Sequence, residues 1–481
     1  MAVRETTTLV SAAASTTPSD TETSLRALWS YALPVLPATL LIVLSLVRFY
    51  KGYAGSDLAI LDQSIWLISE GRPAFSTILQ ESFLQDHFSP AVYLFAPLYR
   101  LLATPAWLLV AQGLAVLGSI WLIVARLRQS IGDLRAGLVG AALMVSPPVA
   151  LALLYEVHLI VLGIPFALAA IWSIDDNKLG KATILGLIAA TFRIELGICV
   201  LMACLVIPRL DRRRLSPILT LTCYALVAIF IQGGAGQRTL WEAHYGHLGA
   251  SPLDIALHPW SLLSFLGSAA VIYKLTIWSI TNGFIAWRNA RLLIPLTAVA
   301  LPVLLSDWAV TDKLFSHYHA APVLLMSVAW IPLLIRRPAR AKVIVAANVA
   351  LSLLIGPLNP SFVLGSVKGS VERSGELQCL VSTIPSGAVV SAEDRPMTLL
   401  AHRSNLYFWP YPFRPGPADY QETTRHPDAT LAAAVDYVVV ERATLDREAV
   451  PPGFGPDVTG EDYVVLRRVG APKARDVTEC S

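Results

Sequence analysis

An α-helical, polytopic membrane protein with a small α/β domain after its last apolar segment is what the amino-acid order predicts. Three observations lead there. Hydrophobic residues make up 55% of 481 positions and charged residues 15%, with a mean hydropathy of +0.58, whereas soluble globules carry about 25% charged residues. Apolar runs close to the ~20 residues that a bilayer requires recur from residue 32 to residue 357. Beyond Pro357-Leu358-Asn359-Pro360 the composition changes to short β-like runs divided by Pro, Gly and Asp. The net charge of +3 is small and sits in scattered basic clusters, a pattern of membrane orientation and not of a nucleic-acid partner.

Residues 1–27 are rich in Thr, Ser and Ala without an apolar core, which predicts a disordered cytoplasmic leader and no cleaved signal. The transmembrane region, 28–357, opens with a span at 32–47. Further spans are expected at 103–125, 136–154, 158–174, 215–232, 260–287, 292–306, 318–335 and 342–357, nine crossings in all. Four Lys/Arg clusters set the orientation: Arg126, Arg128 and Arg135; Arg209 and Arg212 to Arg214; Arg288 and Arg291; Arg336, Arg337, Arg340 and Lys342. Placed on the cytoplasmic side of a plasma membrane, they put the loops near 51–100, 155–158, 233–259 and 306–317 outside. The domain of residues 361–481 is then extracytoplasmic too.

One interval breaks the alternation. Only 26 residues, 182–207, separate two basic loops, too few for two crossings at about 1.5 Å per residue. A re-entrant hairpin or a pair of short helices is expected, with Thr191-Phe192-Arg193-Ile194-Glu195 at its apex. Charge at that depth is tolerated where it lines a cavity, so Arg193 and Glu195 are expected at the floor of an outward pocket. In the tail, strands are expected at 388–391, 436–441 and 463–467 and a helix near Leu431. Cys199, Cys204 and Cys223 lie in apolar segments; Cys379 and Cys480 bracket the tail and could form a disulfide if it is external.

The first external stretch, 48–97, gathers Asp57, Asp62, Glu70, Glu81, Asp86 and His87 between nearly uncharged neighbours. Leu58, Leu61, Ile65 and Ile68 recur at helical spacing, so 57–70 is expected to lie as an amphipathic helix on the membrane surface. Asp57 opens that helix. It is either an N-cap or a carboxylate at a cavity mouth, able to take a proton from a hydroxyl or to hold a divalent cation. Asp62 stands about 140° further round and is expected to be solvated or structural. His87 is a packed or capping residue, or a metal ligand. In the short turn Tyr155-Glu156-Val157-His158, Glu156 and His158 are costly at a membrane boundary unless they face a polar cavity. His317 and His319 belong to the same side as Asp307, Asp312 and Lys313. They could donate to a phosphate, or be ordinary interfacial residues.

The runs SDLAILDQSIW (56–66), DHFSPAVYLFAPLYRL (86–101), YEVHL (155–159), HYGHLGASPLDIALHP (244–259), SHYHAAPVL (316–324) and GAVVSAEDRPMTLLAHRSNLYFWP (387–410) together resemble a bacterial family of polytopic membrane proteins that is similar to the GT-C glycosyltransferases. The resemblance covers residues 45–445 or so. It implies a GT-C-like fold and a polyprenyl-phosphate sugar as donor, with Asp57 the catalytic carboxylate and Glu156 a second acid. Asp57, Glu156 and His158 would be the ligands if Mg²⁺ or Mn²⁺ takes part. Where related sequences carry a Lys-Glu-Asp-like triplet this chain has Arg193-Ile194-Glu195, which keeps the cation and loses one acid. The implied reaction is inverting transfer of a sugar to an external glycan or protein acceptor, the departing lipid phosphate met by Arg193 with His317, His319 or the metal ion. Two other classes compete. A transporter or flippase would use Arg193 and Glu195 in a translocation path, but one interrupted segment without an internal repeat argues against it. A non-catalytic scaffold would bind cell-wall material through its tail.

Overall fold

Apolar runs that close their own backbone hydrogen bonds form helices, since hydrocarbon offers no other partner for N–H and C=O groups. The computed structural model describes residues 28–207, 214–232, 241, 244–368, 371–415 and 426–473. The leader 1–27, the cluster residues Arg209, Arg212 and Arg213, and Cys480 lie outside the described residues; Cys379 is disulfide-bonded.

Six helices among the described residues are long and apolar enough to cross a membrane: Leu28–Tyr50, Ala106–Ile131, Leu215–Gln232, Ala286–Leu305, His317–Arg336 and Pro338–Ile355. Two further candidates are bent pairs, Asp133–Val145 with Pro147–Tyr155 at 49° and Pro259–Leu266 with Ala269–Thr281 at 55°. The first bend falls at Ser146-Pro147-Pro148, because a proline pushes the residue before it out of the helical region. At the second, Ser268 accepts from the Val271 N–H and starts a new helix. The remaining expected crossing coincides with Leu159–Asp175, an apolar helix of 17 residues.

The interval 182–207 is two short helices, Leu179–Phe192 and Ile194–Val206, joined by Arg193 in extended conformation. A Cβ on Gly197 would stand 2.6 Å from the Ala190 Cβ, and one on Gly186 3.0 Å from Val200. These partners pair about Arg193, so the helices fold back on each other. Gly163 of the Leu159–Asp175 helix meets the same hairpin; a Cβ there would lie 2.4 Å from Leu196 and 2.9 Å from Phe192. Small residues let helices approach this closely where lipid supplies no hydrophobic drive.

The tail builds a five-stranded sheet. A separate short hairpin pairs β1 (Phe75–Ser76) with β2 (Glu81–Ser82). The sheet contains β3 (Val390–Ala392), β4 (Leu406–Phe408), β5 (Tyr437–Glu441), β6 (Phe454–Thr459) and β7 (Tyr463–Arg468) in the order β4-β3-β5-β7-β6. β3 runs parallel to β4 and β5, whereas β7 is antiparallel to β5 and β6. The run DYVVVE becomes the central strand because both its faces are covered. Tyr437 and Val439 join a core with Leu58, Ile65, Leu377 and Leu400; Val438 and Val440 join another with Trp409 and Tyr411.

The apolar face of the tail packs on the 49–109 segment. That shared core corrects one expectation: the Ser56–Ser69 helix does not lie on the membrane surface, for all its residues except Asp57 and Trp66 are buried. Its polar side chains are consumed in the contact. The Gln63 amide donates to Thr77 Oγ1 at 2.8 Å and to the Arg403 carbonyl at 3.1 Å. Asp62 Oδ1 accepts from the Tyr99 hydroxyl at 2.7 Å and lies 3.1 Å from His402 Nε2, while the His402 ring stacks on Trp66 at 5.9 Å.

Two outcomes follow from these contacts. Gly163→Leu forces the hairpin off its neighbour and is expected to cost about 1–3 kcal/mol; an unchanged melting temperature of the purified protein would sink the packing account. Burial works against a charge on His402, but the Asp62 charge and hydrogen bond outweigh it and hold His402 above the ordinary imidazole value of 6.5. The stabilisation from this raised value is complete below that ordinary value and is lost as pH rises through the raised one. Melting temperature is therefore expected to fall as pH rises above that ordinary value in the native protein and to flatten in His402→Gln; equal pH profiles would refute the linkage.

Candidate functional site

A buried helix start leaves backbone N–H groups that must find acceptors. The Ser56–Ser69 helix begins at Gly55, which has no side chain to offer. The caps come from elsewhere in the chain. Glu156 accepts from the Gly55 N–H through Oε1 at 2.9 Å and from the Leu58 N–H through Oε2 at 2.5 Å. Asp394, from the tail, accepts from the Ser56 N–H through Oδ1 at 2.8 Å. With Asp57 in the first turn, three carboxylates converge on the positive end of one helix. Burial, reinforced by the charges of Asp57 and Asp394, pushes Glu156 well above the ordinary carboxylate range.

Space, and not backbone conformation, demands Gly55. A Cβ there would stand 2.7 Å from Glu156 Oε1 and 2.8 Å from Asp394 Oδ2. Glu156 is itself held by a helix break, in extended backbone after the Pro147–Tyr155 helix. Gln112 pins that break, donating to the Glu156 carbonyl at 2.8 Å and accepting from the His158 N–H at 2.8 Å.

Beside the acids lies a group of imidazoles. His158 Nε2 is 3.8 Å from Asp57 Oδ2, whose side chain is 38% exposed. The His158 ring stacks on His317 with centroids 3.2 Å apart and on Tyr155 at 5.8 Å. Burial, then the Arg193 charge, holds His158 well below the ordinary imidazole range, so it is a neutral base at neutral pH. His158 Nε2 and His317 Nδ1 make no hydrogen bond within the described residues. Arg193, at the hairpin apex, forms two bonds to Glu195, Nε to Oε2 at 3.1 Å and Nη2 to Oε1 at 2.8 Å. Its charge acts on both His158 and His317. His87, 3.6 Å from Asp86, acts on Glu195, His158 and His317.

Asp57, Glu156, His158, Arg193, Glu195, His87 and His317 thus share one neighbourhood. His319 is engaged differently: it accepts from Trp278 Nε1 at 3.1 Å and has Lys274 and Asp312 as its charged neighbours. Arg193 is not an unshared cation either, since Glu195 already takes both its N–H bonds on one edge. Among the described residues no group of three His, Cys, Asp or Glu side chains is arranged to hold a metal ion. Both Glu156 oxygens are spent on backbone N–H groups, so Asp57, Glu156 and His158 do not fit a resident Mg²⁺ or Mn²⁺.

Several members escaped the reading of the sequence. Asp394 and Arg395 stood inside the motif AEDRP with nothing to connect them to residue 57. The guanidinium groups of Arg48 and Arg395 lie 5.1 and 5.5 Å from the Tyr53 ring, and the charge of Glu156 acts on Arg48. Glu156→Ala would leave the Gly55 and Leu58 N–H groups bare, at about 1–3 kcal/mol for each buried donor. A drop in melting temperature larger than that of Glu156→Gln is expected; equal drops would mean the carboxylate is no cap.

In overall structure the chain is similar to ArnT from Cupriavidus metallidurans bound to undecaprenyl phosphate, with 12% identity and a TM-score of 0.48 over 91% of this chain and 99% of that one. The apo state of the same ArnT gives 12% identity and 0.43 over 89% and 97%. The Archaeoglobus fulgidus oligosaccharyltransferase in its apo form gives 11% and 0.40 over 86% and 69%. No curated protein matches the sequence. These likenesses concern overall architecture, and no residue is carried across from them. Residues 48–448 match a family model described as a predicted membrane protein, DUF2079. That match takes in the first span's end, the capped helix, the hairpin and most of the tail, and the chain belongs to the DUF2079 family of predicted membrane proteins.

Proposed function

We propose that this protein is a membrane glycosyltransferase that moves a sugar from a polyprenyl-phosphate donor to an extracytoplasmic glycan or protein acceptor. Its amino terminus is cytoplasmic and its carboxyl-terminal domain external in this reading. The observation that carries it is the setting of Asp57. The side chain is 38% exposed at a helix start that two other carboxylates hold in place, and it stands 3.8 Å from a buried imidazole.

Glycosyl transfer needs a base where the acceptor hydroxyl attacks and a positive field where the phosphate departs. Asp57 takes the hydroxyl proton as the acceptor oxygen bonds to the anomeric carbon. The bond from that carbon to the phosphate oxygen breaks, and its electron pair leaves with the lipid phosphate, inverting the anomeric centre. Neutral His158 orients Asp57 or relays its proton. The departing charge is met by the field of Arg193 and by donors among His317 and His87, which are fixed before the reaction begins. Glu156 and Asp394 act through the helix start and are positioning residues.

The test uses membranes containing the full chain and a panel of radiolabelled polyprenyl-phosphate sugars. Asp57→Asn and Asp57→Ala are expected to lower label transfer by about 10²–10⁴-fold, the usual range for a lost general base, with membrane insertion unchanged. Full transfer by either variant refutes the assignment.

A further inference from the structure

A cleft in the carboxyl-terminal domain takes no part in this chemistry. It measures 380 Å³ and is lined by Gln378, Ser382, Ser386, Leu399 and Arg403, with apolar wall from Val381 and Ile384. That is within the span of about 300–1,000 Å³ common for small-ligand sites.

Arg403 is only 7% exposed, and no carboxylate among the described residues pairs with it. Its Nη1 donates to the Pro385 carbonyl at 2.6 Å and reaches the Ser386 carbonyl at 3.5 Å; Nη2 reaches the Ile384 carbonyl at 3.5 Å. These carbonyls follow the Val371–Thr383 helix, where a cation is favoured, and they account for the end of the guanidinium. The side edge is left over. Nε, itself shut off from solvent, has no hydrogen-bond partner among the described residues, so the guanidinium that lines the cleft is left under-bonded. Burial lowers Arg403 to about 10, which leaves it charged at neutral pH. A buried charge with no counter-charge is expensive and is relieved by an anion.

The cleft also has an address. Gln378 on its wall donates through Nε2 to the Tyr50 carbonyl at 2.7 Å, and Tyr50 ends the first span. The opening is therefore within a side chain's length of the point where that helix leaves the hydrocarbon, the level of headgroups.

We propose that this cleft binds the phosphate of a membrane-lipid headgroup, held by the Arg403 guanidinium on its wall, with the apolar wall against the glycerol and upper acyl chain. It stands apart from the transferase reading. Full-length protein in neutral detergent is melted with increasing short-chain phosphatidylglycerol, with inorganic phosphate, and with short-chain diacylglycerol. Phosphatidylglycerol is expected to raise the melting temperature saturably, and Arg403→Gln to weaken its apparent affinity by about tenfold or more. Leu399→Trp keeps Arg403 and its carbonyl bonds but fills the cleft, and is expected to abolish the shift even where Arg403→Gln fails to fold. An equal shift from inorganic phosphate or from diacylglycerol overturns the lipid-phosphate assignment. No shift with phosphatidylglycerol, or wild-type affinity in Leu399→Trp, overturns the site.

Discussion

The start of the Ser56–Ser69 helix is the constraint on which the rest depends. A helix end whose backbone is buried cannot leave its N–H groups to water, and Gly55 supplies no acceptor of its own. Glu156 and Asp394 supply them. One strand of consequence runs to the membrane bundle, because Glu156 is available only where the 147–155 helix breaks and Gln112 holds the break open. Another runs to the tail, because Asp394 reaches Ser56 only when the sheet domain is docked. The position of Asp57 is thus decided by three separate stretches of chain.

The same junction concentrates negative charge. Like charges this close repel, and the balance is kept by the positive helix end and by the backbone N–H bonds to Glu156 and Asp394, while burial and the neighbouring acids push Glu156 well above the ordinary carboxylate range. The cations nearby divide into two kinds. Arg193 is bonded twice to Glu195 in a half-buried setting, so its first role is to lock the hairpin apex. Arg48 and Arg395 instead flank the Tyr53 ring, and Arg48 also donates to the Leu154 carbonyl.

The tail is not an appendage either. Its sheet shares a hydrophobic core with the 49–109 segment, and the polar groups of Asp62 and Gln63 are matched by His402 and the Arg403 backbone across the contact. A helix that is polar on one side by composition becomes a largely buried one because most of its polar side meets fixed partners, which outweighs the cost of taking those groups from water.

Hydropathy and periodicity act over one or two turns, and what depends on them was open to reading: the spans, the short helices at 179–206 broken at Arg193, the DYVVVE strand, and the polar island around Asp57. The turn Tyr155 to His158 was legible as well, because charge at a membrane boundary is expensive wherever it occurs. Partnerships were another matter. Glu156 meets Gly55 across 101 positions and Asp394 meets Ser56 across 338, and no local pattern encodes an acceptor that far away. His317 and His319 look alike in the sequence, yet one stacks on His158 and the other turns to Trp278, since a short 3-10 turn sends neighbouring side chains in different directions. Local chemistry settled which segments must be helices and which residues are costly to bury; only the packed chain could settle what each costly residue is buried against.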